Sequence, residues 1–398
     1  MTAILQDLLL PSFVRDVISR VKLPARYLSR YFGWGWDGLN IGPRQSLETI
    51  NGRAYTYDIY DNVRTVANAR APGATSGTVA PNSVGNNTVV LGRFAEKLPL
   101  DYNQLLAIRV LGKNAGDRDR MGTTYIDKQV MTLRQRAENV WEFITGALFN
   151  GGKYGYFFNG DDFVPTYDTA NANVTVDLKI DTGNLGNLGG AFAATLQMGT
   201  GANIIDAAWS NIATDIITHV SKIDSAFQDL VGAPLEAIFV PSGVWNNVLQ
   251  NTGIRNVTGS ANQVNADFQQ TNITLPDGTT LAGVRQGTLK PWPWIKWIVW
   301  DGSLKVAKTT PTNIINVKLL PPNQATFFCA GHNDGTWLKG IQGSEIVKDN
   351  DIAPPVERFG LYTWAMERAD PARVWYHTLQ NVGIELNIPK GIAAATVQ

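Results

Sequence analysis

The side chains that most often carry enzyme chemistry are few and scattered in this sequence. Its three histidines, His219, His332 and His377, stand apart, with no i,i+4 pair and no His-Glu-x-x-His zinc pattern. Ser242 does not lie in a Gly-x-Ser-x-Gly nucleophile elbow, and we expect it to act as a helix N-cap. No phosphate-binding loop of the type Gly-x4-Gly-Lys-Ser/Thr occurs. We therefore expect no catalytic residue, no metal site and no cofactor.

Two further patterns suggest chemistry, and each also has a structural interpretation. Asp161-Asp162 and the pair Asp117 and Asp119 are carboxylates that could hold a cation, but solvated turns explain them better. Four tryptophans between Trp292 and Trp300 suggest a platform for stacking carbohydrates or bases. The prolines among them favour a sheet edge or rim, and packing in a core or an interface accounts for the aromatic rings equally well.

Composition restricts the classes of partner. The 34 Lys and Arg residues balance the 34 Asp and Glu residues, so the chain has no basic excess for tight nucleic-acid binding. The single cysteine, Cys329, excludes an internal disulfide and is expected to be a buried thiol in a reducing compartment. The apolar run Leu8–Leu10 has no basic flank and stops at Pro11, which predicts neither a signal peptide nor a membrane span.

Residues 1–100 predict extended structures in place of a compact domain. Residues 1–48 form an arm whose aromatic stretch, Tyr31–Trp36, needs a partner surface inside or outside the chain. Strand-like alternation at 55–60 and a second β-rich run at 88–98 flank a small, polar segment. This arrangement predicts a long projecting hairpin, which is marginal in isolation and must be stabilised by another surface.

The remainder predicts a sheet flanked by helices. Apolar residues at steps of three and four predict a helix over 123–149, with one face packed and the other exposed or paired with another chain. A second helix is predicted over 204–230, and the glycine-rich stretch 183–190 is predicted to be a flexible connection. The strands predicted after it cover 235–240, 273–281 as a hairpin with an Asp-Gly turn, 295–300, 314–320, 324–329 and 374–386.

The order of these elements resembles the capsid subunits of tailed bacteriophages, and short segments resemble the lambda-like major capsid proteins in particular. The segments occur in the family's order along most of the chain, and that shared order carries the resemblance. They are Pro24-Ala-Arg-Tyr-Leu-Ser-Arg-Tyr-Phe32, Leu98-Pro-Leu-Asp101, Ile238-Phe-Val-Pro-Ser-Gly-Val-Trp245, Leu320-Pro-Pro-Asn323 and Asp370-Pro-Ala-Arg373.

The resemblance implies an α+β Hong Kong 97-type capsid fold, with N-arm, E-loop hairpin, spine helix, peripheral domain and axial domain. The implied divisions are the N-terminal arm 1–48, the E-loop hairpin with its flanking strand 49–105, and a peripheral domain 106–200 that contains the spine helix. Residues 201–335 would be mainly axial domain, and 336–398 would return to the peripheral domain and end in the C-terminal strand.

The resemblance also implies self-assembly into hexamers and pentamers of an icosahedral shell, inside the host cytoplasm, around phage DNA that is contacted weakly and without sequence specificity. A separate scaffolding protein, a portal at one vertex and a decoration protein would be further partners, with no membrane involved. The residues expected at the assembly interface share aromatic, β-branched or charged character in the arm, hairpin and long helix: Phe32, Trp34, Trp36, Tyr55, Tyr57, Ile59, Arg64, Arg93, Arg134, Glu138 and Glu142.

Some capsid relatives cross-link a hairpin lysine to an asparagine of a neighbouring subunit. Here Lys22 is the last lysine before Lys97, so no such covalent mesh is expected. Two other functions remain open at this point. Another virion component, such as a tail or baseplate protein, seldom needs so long a one-striped helix. A glycan-binding or glycan-degrading protein would explain the tryptophans, but no recognisable pair of carboxylates accompanies them.

Overall fold

A computed structural model describes residues 27–34, 47–60, 84–101, 120–198, 202–258, 271–274, 280–331, 337–347, 355–368 and 373–397. The fold is α+β. The helices, in chain order, are α1 Arg120–Phe149, α2 Gly190–Thr195, α3 Ile216–Leu230, α4 Ser242–Gln250 and α5 Thr252–Thr258. Short 3-10 helices cover Leu28–Phe32, Thr182–Asn184 and Pro389–Gly391.

The strands in the first half of the chain are β1 Leu47–Ile50, β2 Ala54–Tyr60, β3 Val84–Val90, β4 Gly92–Asp101, β5 Lys153–Asn159, β6 Asp162–Thr166, β7 Val174–Asp177, β8 Leu185–Gly186 and β9 Leu235–Val240. Those in the second half are β10 Thr271–Thr274, β11 Thr280–Leu289, β12 Trp292–Val299, β13 Ser303–Lys308, β14 Thr310–Lys318, β15 Gln324–Cys329, β16 Leu338–Val347, β17 Val356–Phe359, β18 Tyr362–Arg368, β19 Arg373–Leu386 and β20 Ile392–Thr396.

These strands form four sheets. One has six strands in the order β1-β16-β19-β18, with β17 paired to β16 and β4 paired to β19. The second has seven strands in the order β10-β11-β12-β9-β15-β20-β8, and the third has five in the order β14-β13-β6-β5-β7. The antiparallel pair β2-β3 is the fourth. Because β20 pairs with β15, the last strand belongs to the seven-stranded sheet and not with residues 336–386.

Strands β9, β15 and β20 of the seven-stranded sheet are buried on both faces, which explains their nearly continuous apolar sequences. Phe239 and Phe328 face one core, which also contains the end of α1 and the six-stranded sheet. Ile238 and Phe327 face a second core beneath α3 and α4. Cys329 is buried in that second core, as predicted.

The predicted long helix is confirmed as α1, 30 residues and about 45 Å long. Gly151 and Gly152 both adopt positive φ, 78° and 73°, and end it, because a glycine carries no Cβ penalty there. The expectation of one free face is wrong for its last nine residues. Every residue from Trp141 to Phe149 is buried, since the chain's own arm and sheets enclose this part of the helix.

The helix predicted over 204–230 starts only at Ile216. Local side-chain hydrogen bonds account for the difference. Asn211 Oδ1 accepts from Ala213 N–H, and Thr214 Oγ1 donates to Ala208 O, so residues 208–214 form turns. Asp215 then caps the helix by accepting from Thr218 N–H at 3.0 Å.

Three further predictions need correction. The β-rich run 88–98 is interrupted at Leu91, after which β4 leaves the hairpin and pairs with β19 in the six-stranded sheet. The stretch 183–190, predicted to be a flexible connection, contains strand β8, which pairs with β20. Ser242 is not an N-cap: Pro241 occupies that position, and Ser242 N–H donates to Asp301 Oδ1 at 3.0 Å.

Candidate assembly surfaces

The described part of the arm is fastened to α1 by two buried carboxylates. Glu138 and Glu142 lie one helical turn apart and are both almost fully buried. The two Glu142 oxygens accept from the backbone N–H groups of Leu28 and Ser29, each at 2.9 Å. Arg30 Nη2 donates to Glu138 Oε1 at 2.8 Å. Both carboxylates of α1 are therefore bound by the chain's own arm.

Burial changes the acidity of this contact. Loss of solvent raises the pKa of Glu142 to about 7, although the hydrogen bonds from Ser29 and Leu28 oppose that change. The nearby Glu138 raises it further. The carboxylate that holds the arm therefore titrates close to neutral pH.

Beyond Arg30 the arm inserts three aromatic rings at the junction of α1 with two sheets. Tyr31 and Phe32 lie 5.6 and 5.8 Å from Phe239 of the seven-stranded sheet, measured between ring centroids. Trp34 lies 6.1 Å from Trp141 of α1. The arm thus packs as a wedge between elements that are distant in sequence, and residues 28–34 have their partner surface inside the chain.

Trp34 also reaches the six-stranded sheet at Gly340. A Cβ placed on Gly340 would lie 2.7 Å from Trp34 Cδ1, well inside van der Waals contact. Only a glycine therefore allows β16 to approach this ring so closely.

The base of the β2-β3 hairpin is anchored to the body. Tyr57 and Val89 are buried in the same core as Phe239 and Phe328. Asn87 donates to Tyr57 Oη at 2.9 Å and to Asp177 O at 3.0 Å. Asn387 donates to Asp58 O at 3.1 Å. The predicted hairpin is confirmed in its pairing, and its described part is stabilised by the chain's own body.

Apolar side chains are exposed at both ends of the described β2-β3 strands, and charged ones are exposed beside Val90. Val90 is 58% exposed and Tyr60 is 46% exposed. Arg93 pairs with Glu345 at 2.8 Å, and Arg53 lies 4.0 Å from the same carboxylate. Val90, Arg53 and Arg93 therefore form an exposed rim at one end of the described strands, and Tyr60 is exposed at the other end.

The residues expected at the assembly interface fall into three groups. Those buried in this chain are Phe32, Trp34, Tyr57, Arg134, Glu138 and Glu142. Tyr55 and Ile59 are half-buried, and Arg93 is exposed. Trp36 and Arg64 lie outside the described residues. The sequence analysis did not identify Arg30 or Gly340. Its one indication of the arm contact was the pair of glutamates Glu138 and Glu142 at i,i+4, which would need a cationic or N–H-rich partner if buried.

The remaining chemical candidates have structural roles. His219 is buried, accepts from Trp209 Nε1 at 3.2 Å and contacts Asp206 Oδ1 at 2.9 Å. Trp292, Trp297 and Trp300 are buried, so they form core and not a stacking platform. Among the described residues, no three His, Cys, Asp or Glu side chains converge as metal ligands. Within the same ranges, no helix is both long and apolar enough to cross a bilayer.

No protein-family model matches the sequence, and no curated protein matches it. Solved structures do match. The putative capsid protein of an Escherichia coli CFT073 prophage aligns over 98% of this chain and 99% of its own, with a TM-score of 0.50 and 13% identity. The capsid of Ralstonia phage GP4 aligns over 94% and 92%, with a TM-score of 0.46 and 8% identity. A phage-related protein from Bordetella bronchiseptica RB50 aligns over 97% and 96%, with a TM-score of 0.46 and 9% identity.

The prophage match extends over nearly the whole of both chains. At this identity the likeness concerns the fold. The chain therefore has the α+β fold of phage capsid proteins, the Hong Kong 97-type fold that its sequence resembles.

Proposed function

We propose that this chain is a major capsid protein that assembles with copies of itself into the icosahedral shell of a tailed phage. The observation that carries the proposal is the full-length correspondence with a prophage capsid protein, without a large unmatched segment in either chain. A shared fold permits several functions, so the argument also needs the surfaces that this chain leaves open.

A shell subunit must be rigid where its own elements join and accessible where copies meet. The arm wedge at Trp34 and the buried pair Arg30–Glu138 supply rigidity at the junction of α1 and the sheets. The exposed Val90 and Arg93 at one end of the described hairpin strands, and Tyr60 at the other end, supply accessible surface. Tyr55, Ile59 and Arg93 therefore remain proposed interface residues, together with Trp36 and Arg64.

The six buried residues of the expected interface take a different role in this proposal. Their side chains stabilise the folded subunit. They affect assembly only indirectly, because they fix the conformation of the subunit. The proposed partners are other copies in hexamers and pentamers, a scaffolding protein, a portal, a decoration protein and loosely held DNA. The proposed location is the virion, after assembly in the host cytoplasm.

The glycan-binding alternative loses its stacking platform because three of the four tryptophans, Trp292, Trp297 and Trp300, are core residues, and Trp294 is exposed alone. Negative-stain microscopy and sedimentation of the purified full-length chain test the capsid proposal. Rings, tubes or closed shells are the expected particles. Discrete small particles at every concentration, with or without a scaffolding protein, would overturn it.

A further inference from the structure

The β5-β6 hairpin ends in an exposed pair of aromatic rings. Phe158 and Phe163 stand directly opposite each other in the register and are 49% and 55% exposed. Their ring centroids lie 5.0 Å apart in an edge-to-face arrangement. Phe158 N–H donates to Asn173 Oδ1 at 2.8 Å, which braces the strand just before the turn. Two large apolar rings held in place at the surface are typical of a contact site.

Two carboxylates accompany these rings. Asp161 lies in the turn and Asp162 begins β6, and both are exposed. Within the ranges that the structure describes, neither pairs with a cation. We call residues 158–163 the aromatic tip. A surface that matches this tip must supply cations beside aromatic or apolar groups.

A surface of this composition lies on the outer face of the six-stranded sheet. Gln380 of β19 donates to Ala137 O of α1, so the odd-numbered residues of β19 face away from the helix. Trp375 and His377 are therefore on the outer face, where His377 stands opposite Lys97 of β4. The Trp375 and His377 rings are partly exposed, and Lys97 is exposed.

Cations and aromatic rings contact one another across this outer face. Lys97 Nζ lies 5.0 Å from the centroid of the Trp375 ring, and the guanidinium of Arg358 lies 4.8 Å from that of the Tyr362 ring. The Trp364 ring stacks on His377, with the centroids 4.8 Å apart. We call this set of side chains the cationic face: Lys97, Arg358, Tyr362, Trp364, Trp375 and His377.

The charges around the cationic face leave a positive excess. Glu345 stands opposite Arg358, but it already pairs with Arg93 at 2.8 Å and lies 4.0 Å from Arg53. Lys97 has no carboxylate partner among the described residues. An acidic partner is therefore attracted to this face.

The β2-β3 hairpin base covers the other end of the same outer face. There Leu91 packs so closely on Gly383 of β19 that a Cβ on the glycine would collide with it. Towards the start of β19, Trp375 and His377 keep part of their surface exposed. The cationic face therefore remains accessible beside the hairpin base.

We propose that the aromatic tip of one copy docks on the cationic face of the next copy. The two carboxylates of the tip then approach Lys97, while the two phenyl rings pack against Trp364 and Trp375. The contact joins two different surfaces, and a repeated contact of this kind can close into a ring. The inference rests on the proposed function, which requires rings of copies, and it names the surfaces by which neighbours in a ring recognise each other.

A charge reversal within one chain tests this docking. Asp161→Lys and Lys97→Glu each place like charges together at every contact. Each variant alone should lower the assembled fraction at fixed concentration by about fivefold or more. A chain that carries both changes should regain assembly, because opposite charges then meet again, and this recovery excludes misfolding as the cause of the loss. Asp229→Lys, at an exposed position on α3, is the matched control and should assemble normally.

A cross-link provides a readout that does not depend on particle formation. Phe163→Cys and Lys97→Cys are prepared as separate chains, mixed and treated with a short bismaleimide. The mixture should give a dimer in denaturing gels, whereas each variant alone should not, because a tip meets a face and not another tip. Asp229→Cys mixed with Lys97→Cys is the control and should stay monomeric. The native Cys329 is buried and does not interfere.

Either of two assembly results would overturn the docking: normal assembly of both single charge variants, or a double reversal that assembles no better than they do. Intact shells in either case would leave the capsid proposal standing. If the wild-type chain alone forms no particles, the cross-link decides. A Phe163→Cys and Lys97→Cys mixture with no more dimer than its control would then overturn the inference.

Discussion

Arg30 of the arm and Glu138 of α1 form a buried ion pair across 108 residues of sequence, with Nη2 and Oε1 2.8 Å apart. Their side chains are 8% and 0% exposed. A salt bridge in this setting is costly to break from one side, because the remaining charge stays buried. The pair therefore makes the docking of the arm a condition for a stable subunit.

Removal of the cation should destabilise the folded subunit. Arg30→Ala is expected to lower the free energy of unfolding by about 3 kcal/mol, since Glu138 loses its guanidinium partner inside the core. Urea titration followed by tryptophan fluorescence measures the change. The matched control is Arg136→Ala, which removes an exposed partner of Glu96 and should cost less than about 1 kcal/mol. Equal losses in the two variants would contradict the buried role of Arg30.

The titration of Glu142 should appear in the pH dependence of stability. Burial raises the pKa of Glu142 from 4.5 to about 7, so the folded chain keeps this proton at pH values where the unfolded chain has released it. Its contribution to the free energy of unfolding is complete below about pH 4.5 and disappears as the pH rises through 7. The unfolding free energy of the wild type minus that of Glu142→Gln should therefore fall across this window, by at most about 1.4 kcal/mol per pH unit.

Asp206→Asn provides a control of opposite sign. The hydrogen bond from His219 lowers the pKa of Asp206 below its usual 3.8, so its contribution is present above that pH and lost as the pH falls. The unfolding free energy of the wild type minus that of Asp206→Asn should rise with pH in the acidic range. A difference for Glu142→Gln that stayed flat between pH 4.5 and 7 would show that Glu142 does not titrate there.

The close approach of Gly340 to Trp34 makes that glycine sensitive to one added methyl group. Gly340→Ala should lower the free energy of unfolding by about 1–3 kcal/mol, because the Cβ would displace the Trp34 ring or β16. Gly243→Ala is the matched control: nothing lies within 4 Å of its Cβ, and alanine favours the helix by up to about 1 kcal/mol. Thermal or urea unfolding would reveal the contrast. A Gly340→Ala variant as stable as the control would refute the wedge geometry.

How far the sequence predicts this structure depends on the range of the interactions. The apolar period predicts α1 to within three residues of its observed start, and β15 coincides with its predicted strand, because both patterns are local. The first part of the predicted second helix fails because Asn211 and Thr214 bind nearby backbone groups in place of helical ones.

The arm contact could not be predicted, for a different reason. Glu138 and Glu142 look like an exposed polar stripe, and nothing local to them indicates that Leu28 and Arg30 will cover it. The sequence of such a stripe is the same whether the stripe faces solvent, a second copy or the chain's own arm. Six of the eleven residues expected at the assembly interface are therefore positions that the chain itself buries.

Assembled particles should contain no covalent links between subunits. No lysine occurs between Lys22 and Lys97, so neither hairpin strand nor the segment between them offers the amine that a lysine–asparagine link requires. Boiled samples should migrate as a single band near 43.5 kDa in denaturing gels, with or without reducing agent. A ladder of oligomers that survives boiling and reduction would disprove this.

An electron cryomicroscopy reconstruction of the particles formed by the full-length chain would test the central claim most directly. The account predicts pentameric and hexameric rings closed into a shell, with the β2-β3 hairpin of each subunit touching a neighbour and the arm wedge at Trp34 still in its own subunit. A concentrated, well-folded sample that remains a compact monomer, or particles in which these hairpins contact no other copy, would contradict it.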